Sequence, residues 1–290
     1  MNLKFKIILT FSSLILLLIM LVIYQSIIFN DGKTHLVFCN VGQGDAIFIR
    51  SIKGLNILID GGPDDSVLGC LSRHMPFWER KISLVILTHP HADHMTGLIS
   101  VLKDYKVGSF ATEKLINNTS IYNKLLQYLK NDNLRINYLF AGDLFETQDL
   151  NIKILGPTSE FLQRANPMGV VGESKESGSL TTLLSIGGFD AILTGDTPIE
   201  EFNEEINDFS VPKISIFQIS HHGSVYNTDS NLISEISPKL AVISVGKNNY
   251  GHPSQNVINI LNDLKIPFLR TDKHGDIEVI ADKNGDFLIR

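Results

Sequence analysis

The stretch Thr88-His89-Pro90-His91-Ala92-Asp93-His94 constrains this chain more than any other part of it. It carries three imidazoles and one carboxylate within six residues, directly after the apolar run Leu84-Val85-Ile86-Leu87. Histidine fills 9 of 290 positions, so a chance His-x-His-x-Asp-His is on the order of one in a thousand. A β-strand followed by a tight loop would aim these groups at one point. Neutral imidazoles beside a carboxylate suit zinc, manganese or iron, and core packing does not explain them.

Other polar clusters repeat the same placement. Thr194-Gly195-Asp196 ends the apolar run Ala191-Ile192-Leu193, where a carboxylate can bridge two ions. Ser220-His221-His222-Gly223-Ser224 ends the run 214–219, and Asn249-Tyr250-Gly251-His252-Pro253-Ser254 follows Leu240-Ala241-Val242-Ile243. Each cluster sits at the C-terminal end of an expected strand, so ligands far apart in sequence can converge on one edge of a β-core.

His89-x-His91-x-Asp93-His94, then Asp196, then His221 resembles the metallo-β-lactamase fold superfamily. Val41-Gly42-Gln43-Gly44-Asp45-Ala46, Leu58-Ile59-Asp60-Gly61-Gly62, Leu193-Thr194-Gly195-Asp196, His221-His222-Gly223-Ser224 and Tyr250-Gly251-His252-Pro253-Ser254 look like the hydrolase domain of ComEC-type competence proteins. The resemblance covers roughly residues 35–290. It implies an α/β (α+β) fold, an αββα four-layer sandwich, with one or two bound divalent metals, zinc or manganese. It also implies hydrolysis, with phosphodiesterase or nuclease chemistry leading. It does not bring the multi-span channel of ComEC.

Some positions depart from the family pattern. Asn40 stands where Asp is usual, His91 where many ComEC-type proteins have Asp, and Gln218 where Lys often precedes the double histidine. A further superfamily histidine, expected near Glu176-Ser177-Gly178-Ser179-Leu180, is not visible. Losing that ligand leaves one ion more open to water, which a catalytic ion requires.

Residues 7–29 are an uncharged run of 23, long enough to span a bilayer as a single transmembrane helix. Lys4 and Lys6 precede it, so the remainder is expected outside the cytoplasm. A cleaved signal peptide, leaving a secreted enzyme, competes with this reading, but no small-x-small site follows before Asp31. The expected organisation is an anchor over 1–30 and a hydrolase domain over 31–290.

Apolar spacing places strands at 36–39, 46–50 and 55–59, helices at 94–103, 119–130, 197–207 and 254–264, and a hairpin at Gly187-Gly188. Residues 275–280 and 287–289 close the chain as strands, and 165–178 read as a flexible loop near the site. Cys39 and Cys70 are the only cysteines. Cys39 falls in a core strand, which favours an unpaired buried thiol. The formal charge of −6 argues against non-specific wrapping of nucleic acid, though metal ions can supply positive charge at a scissile phosphate.

From the resemblance, His89 and His91 bind one metal, Asp93 and His94 the second, Asp196 bridges, and His221 is preferred over His222 as the further ligand. Asp93, His222 and His252 are the candidate catalytic residues, the two histidines as proton donors or phosphate binders. Asp60 and Asn40 would orient imidazoles. The expected partners are a phosphodiester, possibly DNA, and the cell membrane. The alternatives are hydrolysis of a phosphorylcholine ester, lactone or β-lactam, and a non-catalytic membrane-anchored binding module.

Overall fold

The computed structural model of the chain describes residues 3–171, 178–208 and 213–290. Residues 172–177, most of the later part of the expected loop, lie outside that description.

The chain opens with α1 (Leu3–Phe29), then β1 (Thr34–Phe38), β2 (Ile47–Arg50) and β3 (Asn56–Ile59). Next come α2 (Ser66–His74), β4 (Lys81–Ile82), β5 (Leu84–Leu87), α3 (Ala92–Asp104), β6 (Lys106–Val107), β7 (Phe110–Thr112), α4 (Ser120–Asn131) and β8 (Ile136–Tyr138). β9 (Leu144–Glu146), β10 (Asn151–Gly156), α5 (Ser159–Ala165), β11 (Thr181–Ile186), β12 (Phe189–Leu193) and α6 (Ile199–Asp208) follow. The last stretch holds β13 (Ile216–Gln218), α7 (Ser230–Ile236), β14 (Leu240–Ile243), α8 (Gln255–Asp263), β15 (Phe268–Arg270), α9 (Thr271–His274), β16 (Ile277–Ala281) and β17 (Phe287–Ile289).

Strand alternation builds four layers. Leu36, Phe38, Ile47, Ile49, Ile57, Ile59 and Ile86 point from one sheet toward Ile152, Ile154, Leu184, Leu193, Ile216 and Val242 of the other. Their neighbours Val37, Phe48, Leu58 and Val85 point the opposite way, onto α2, α3 and α4. Ile192, Phe217, Ala241 and Ile243 do the same from the second sheet, onto α6, α7 and α8. Both faces of the central strands are thus buried, which is why these strands read as continuous apolar runs. The sheets have eight strands, ordered β17-β16-β1-β2-β3-β5-β7-β8, and seven, ordered β15-β14-β13-β12-β11-β10-β9. The result is the αββα sandwich that the resemblance implied.

β3, β5 and β7 run parallel, as do β12, β13 and β14. Their C-terminal ends therefore lie together within each sheet. α1 stands apart, with no buried residue along its 27 residues, and is long and apolar enough to cross a membrane.

One expectation is corrected. Cys39 and Cys70 are not free thiols but form a disulfide, with Cα atoms 5.7 Å apart. Alternation turns Cys39 to the outer face of the first sheet, and α2, which the sequence did not announce, carries Cys70 to the same place.

Candidate metal centre

Five strand ends supply the site. Asp60 follows β3, Thr88 and His89 follow β5, Asp196 follows β12, His221 and His222 follow β13, and Ser244 follows β14. His91 is the N-cap residue of α3 yet makes no side-chain capping bond. A cap residue ordinarily satisfies an exposed helix N–H. Here that position carries an imidazole instead, and Asp93 and His94 lie on the first turn behind it.

The cluster closes on Asp196. Its Oδ2 lies 3.3 Å from His94 Nε2, 3.7 Å from His89 Nε2 and 3.8 Å from His221 Nε2. Its Oδ1 lies 3.9 Å from His222 Nε2, which is itself 3.4 Å from Asp93 Oδ2. Asp93, His94, Asp196 and His222 offer ligand atoms all within 4.8 Å of one another. Sequence reasoning preferred His221, but it is His222 that completes this compact group. His91 packs its ring on His89, centroids 4.5 Å apart, at the partly exposed side. His252 lies farther out, its ring 5.4 Å from that of His221.

The far nitrogen of each central imidazole is held. His94 Nδ1 meets Asp60 Oδ2 at 2.7 Å, and Asp60 also accepts from the Thr88 N–H and hydroxyl at 2.7 Å each. His222 Nδ1 donates to the Ser244 carbonyl at 3.0 Å, and His221 Nδ1 lies 3.2 Å from Asn227 Oδ1. Thr88 Oγ1 is 3.1 Å from His89 Nδ1. This fixes which nitrogen faces inward.

The inward atoms tell the rest. His89 Nε2, His94 Nε2, His222 Nε2 and Asp196 Oδ1 are buried and have no hydrogen-bond partner. Buried polar atoms are almost always paired, and four unpaired ones facing a common point need a shared partner. Imidazole nitrogen and carboxylate oxygen are the donor set of zinc, manganese or iron, so these residues fit a divalent ion.

The electrostatics agree. Burial opposes charge on His94, but Asp196 and Asp60 outweigh it and hold that imidazole well above the usual range. Burial likewise opposes charge on His222, yet Asp196, Asp93 and Asp45 raise it to about 9. Asp196 and Asp93 ionise despite burial because imidazoles surround them. His252 is pushed down to about 4 by burial and then by His221 and His222. It is therefore neutral near pH 7, and its buried Nδ1 has no hydrogen-bond partner.

A pH response follows. His94 and His222 are raised above the ordinary imidazole value, and burial lifts Glu201 to about 8. Each holds its proton more firmly folded than unfolded, so stability falls as pH rises through this range. In excess chelator, the urea midpoint is expected to fall between pH 6.5 and 9. Zinc should restore it at the alkaline end, where a dication replaces the lost protons. A chelated midpoint that rises across that window would contradict this.

Some readings shift. Asn40 does not orient an imidazole: it is exposed, and its N–H donates to Asp276 Oδ1 at 2.9 Å. The backbone turns sharply after β1, through the Val41 N–H to the Cys39 carbonyl, so Asn40 points away. Asp45, which sequence reasoning quoted only within a motif, is the buried carboxylate here. It accepts from Gln218 Nε2 at 2.7 Å and lies 3.7 Å from His222 Nδ1. Gln218, where Lys was expected, also accepts from the Thr194 N–H at 3.0 Å and so aligns the Asp196 turn. Ser179 lies in the segment where the missing histidine was sought. Its hydroxyl is 3.4 Å from His89 Nδ1 and accepts from the Asp196 N–H at 3.1 Å. Ser254 Oγ accepts from Val257 N–H as the cap of α8, and Ser224 Oγ accepts from Tyr226 N–H.

Backbone geometry is spent at the site. Asp60, His221 and His222 adopt positive φ, which non-glycine residues rarely do. Gly97 has a different task. A Cβ there would collide with the backbone carbonyls of Gly61 and Asp64, so only glycine lets α3 rest on the loop that carries Asp60. The Gly97 N–H donates to Gly62 O at 3.0 Å across this contact. Gly97→Ala is expected to cost about 1–3 kcal/mol of stability and, by moving Asp60 off His94, to weaken metal binding. Urea melts and metal titration check this. An unchanged variant would show that the contact gives way freely.

Comparisons with known proteins match this architecture. A family model described as Beta-lactamase superfamily domain matches residues 55–212. ComE operon protein 3 of Bacillus subtilis is 30% identical over 273 residues, covering 86% of this chain and 33% of that protein. Recombination protein 2 of Haemophilus influenzae is 29% identical over 247 residues, covering 83% of this chain and 28% of that protein. The chain thus spans about a third of the length of these relatives. Among solved structures, the metallo-β-lactamase fold protein YhfI of Bacillus subtilis aligns with TM-score 0.57 at 10% identity, covering 85% of this chain and 99% of that one. Zinc-bound PqqB of Methylobacterium extorquens aligns with TM-score 0.52 at 10% identity, covering 82% and 97%. These two share the fold.

Proposed function

Because this chain belongs to the β-lactamase superfamily domain family, with competence and recombination proteins as homologues, we propose that it is a membrane-anchored, extracytoplasmic phosphodiesterase acting on nucleic acid. Residues 1–30 are the anchor and 31–290 the hydrolase. Asp93, His94 and His222 would hold one divalent ion, His89, His91 and His221 another, with Asp196 between them. An ion so held would supply a water of lowered pKa as nucleophile and positive charge beside the phosphoryl oxygens.

The chain's own residues do the rest. Asp60, Thr88, Ser244 and Asn227 keep the inward nitrogens aimed and in the correct tautomer. Asp45, buried behind His222, adds negative charge that favours a cation. His252, neutral near pH 7, can hydrogen-bond a leaving or phosphoryl oxygen.

The observation that carries the substrate class is a ladder of rings. Exposed Tyr250 sits 5.9 Å from His252, which sits 5.4 Å from His221 at the edge of Asp196. Tyr226, 84% exposed, follows the double histidine on the same loop. Exposed aromatic faces leading to a metal-type site suit stacked bases of a single strand, each stack contributing about 1–3 kcal/mol. Gln218 where Lys is usual, together with the charge of −6, points to weak capture rather than tight wrapping. The disulfide, typical of oxidising compartments, supports the outward placement.

The test is turnover of oligonucleotide, plasmid and bis-nitrophenyl phosphate with manganese or zinc, beside nitrocefin, acyl lactones and a phosphorylcholine ester. Single-stranded oligonucleotide should be cut, and Tyr226→Ala with Tyr250→Ala should raise KM about thirtyfold or more, as expected if two stacks are lost. Hydrolysis of a lactam, lactone or phosphorylcholine ester with no phosphodiester cleaved would overturn the reading.

A further inference from the structure

The α2–β4 connection carries a feature the hydrolase site does not use. The Glu79 N–H closes a tight turn onto the Pro76 carbonyl at 2.9 Å, which leaves Phe77 and Trp78 at its tip. Both rings face outward, 44% and 42% exposed, and meet edge-to-face with centroids 4.9 Å apart. Glu79 follows Trp78, and Arg80 and Lys81, both exposed, come next. Neither ring is among the buried residues of the domain's core.

The turn is tied to α1. The Phe77 N–H donates to Gln25 Oε1 at 2.9 Å, and Arg50 Nε donates to the Phe29 carbonyl at 3.1 Å. The first bond sets the height of the turn along the helix, and the second holds the end of the helix to β2. Gln25 lies four residues before the end of α1, about 6 Å along the axis at 1.5 Å per residue. The uncharged residues 7–24 below it extend about 27 Å, close to the roughly 30 Å of a hydrocarbon core. A helix that fills the core with these residues leaves Gln25 at the boundary between acyl chains and headgroups. Phe77 and Trp78 are then held at that same depth, where aromatic rings concentrate, with Arg80 and Lys81 at phosphate level.

We infer that the Phe77–Trp78 turn is a second membrane contact, seated in the headgroup–acyl boundary of the leaflet from which α1 emerges. The occupant of this apolar surface is phospholipid. The inference rests on the reading of α1 as a membrane span. Two contacts beside each other restrict how the domain tilts on its anchor, which a single tether cannot do.

Trp78 is the only tryptophan of the chain, so its fluorescence reports this turn alone. The full chain is reconstituted into phosphatidylcholine–phosphatidylglycerol vesicles, and flotation is measured beside emission. Chains that float should show Trp78 emission shifted to the blue, quenched by lipids brominated near the headgroup end of the acyl chain. Iodide, present on both sides, should quench it little. Floating chains whose Trp78 ignores the bromines overturn the inference and leave the anchor standing. Access to iodide then means an open surface, and protection from iodide a protein partner or second copy. Chains that do not float overturn the anchor and the inference together.

Discussion

An Asp196→Asn chain is expected to fold, to lose most of its divalent metal and to fall to background turnover. Asp196 is the carboxylate on which His94, His89, His221 and His222 converge, at 3.3, 3.7, 3.8 and 3.9 Å. Asparagine keeps the shape but removes the charge and one acceptor oxygen. Loss of an outer partner of a ligand costs about 10–100-fold in affinity or activity, and loss of a shared ligand should exceed that. The fold should survive, because without this charge His94 and His222 can be neutral at pH 7. Metal content by emission spectrometry and phosphodiester turnover give the answer. A chain built only to bind would keep its ligand affinity in this variant and show no turnover in either form.

Replacing both Cys39 and Cys70 with Ser is expected to destabilise the domain by about 3–4 kcal/mol, the entropy of a 31-residue closure. The bond joins the end of β1 to α2, and both residues are essentially unexposed. A reductant should reproduce the loss in the wild-type chain, slowly, because the sulfurs are buried. Equal urea midpoints with and without the bond would mean that packing around α2 alone fixes the site's frame.

Much of the site was legible because strand ends are legible. His89, His91, Asp93 and His94 follow an unbroken apolar strand, and Asp196 and His222 follow others, so convergence could be argued before any distance was known. The parallel runs β3–β5 and β12–β14 turned that argument into geometry. What stayed hidden depends on contacts between distant segments. Asp45 and Gln218 are 173 residues apart, and nothing local marks them as partners. His221 and His222 are told apart by distant contacts: Asn227 meets the outer nitrogen of His221, Ser244 that of His222, and His222 lies 3.4 Å from Asp93. Asn40 was misplaced because one turn after β1 reverses its direction. The disulfide was missed because α2 carries mixed polar and apolar residues over a short span, and its position was needed to bring Cys70 to Cys39.

The most direct measurement strips the full chain with chelator and titrates zinc or manganese back while bis-nitrophenyl phosphate hydrolysis is followed. Activity should vanish on chelation and return in proportion to metal bound, saturating at one or two ions per chain, with no recovery in Asp196→Asn. Undiminished hydrolysis by the thoroughly chelated protein would contradict a metal centre built on Asp93, His94, Asp196 and His222.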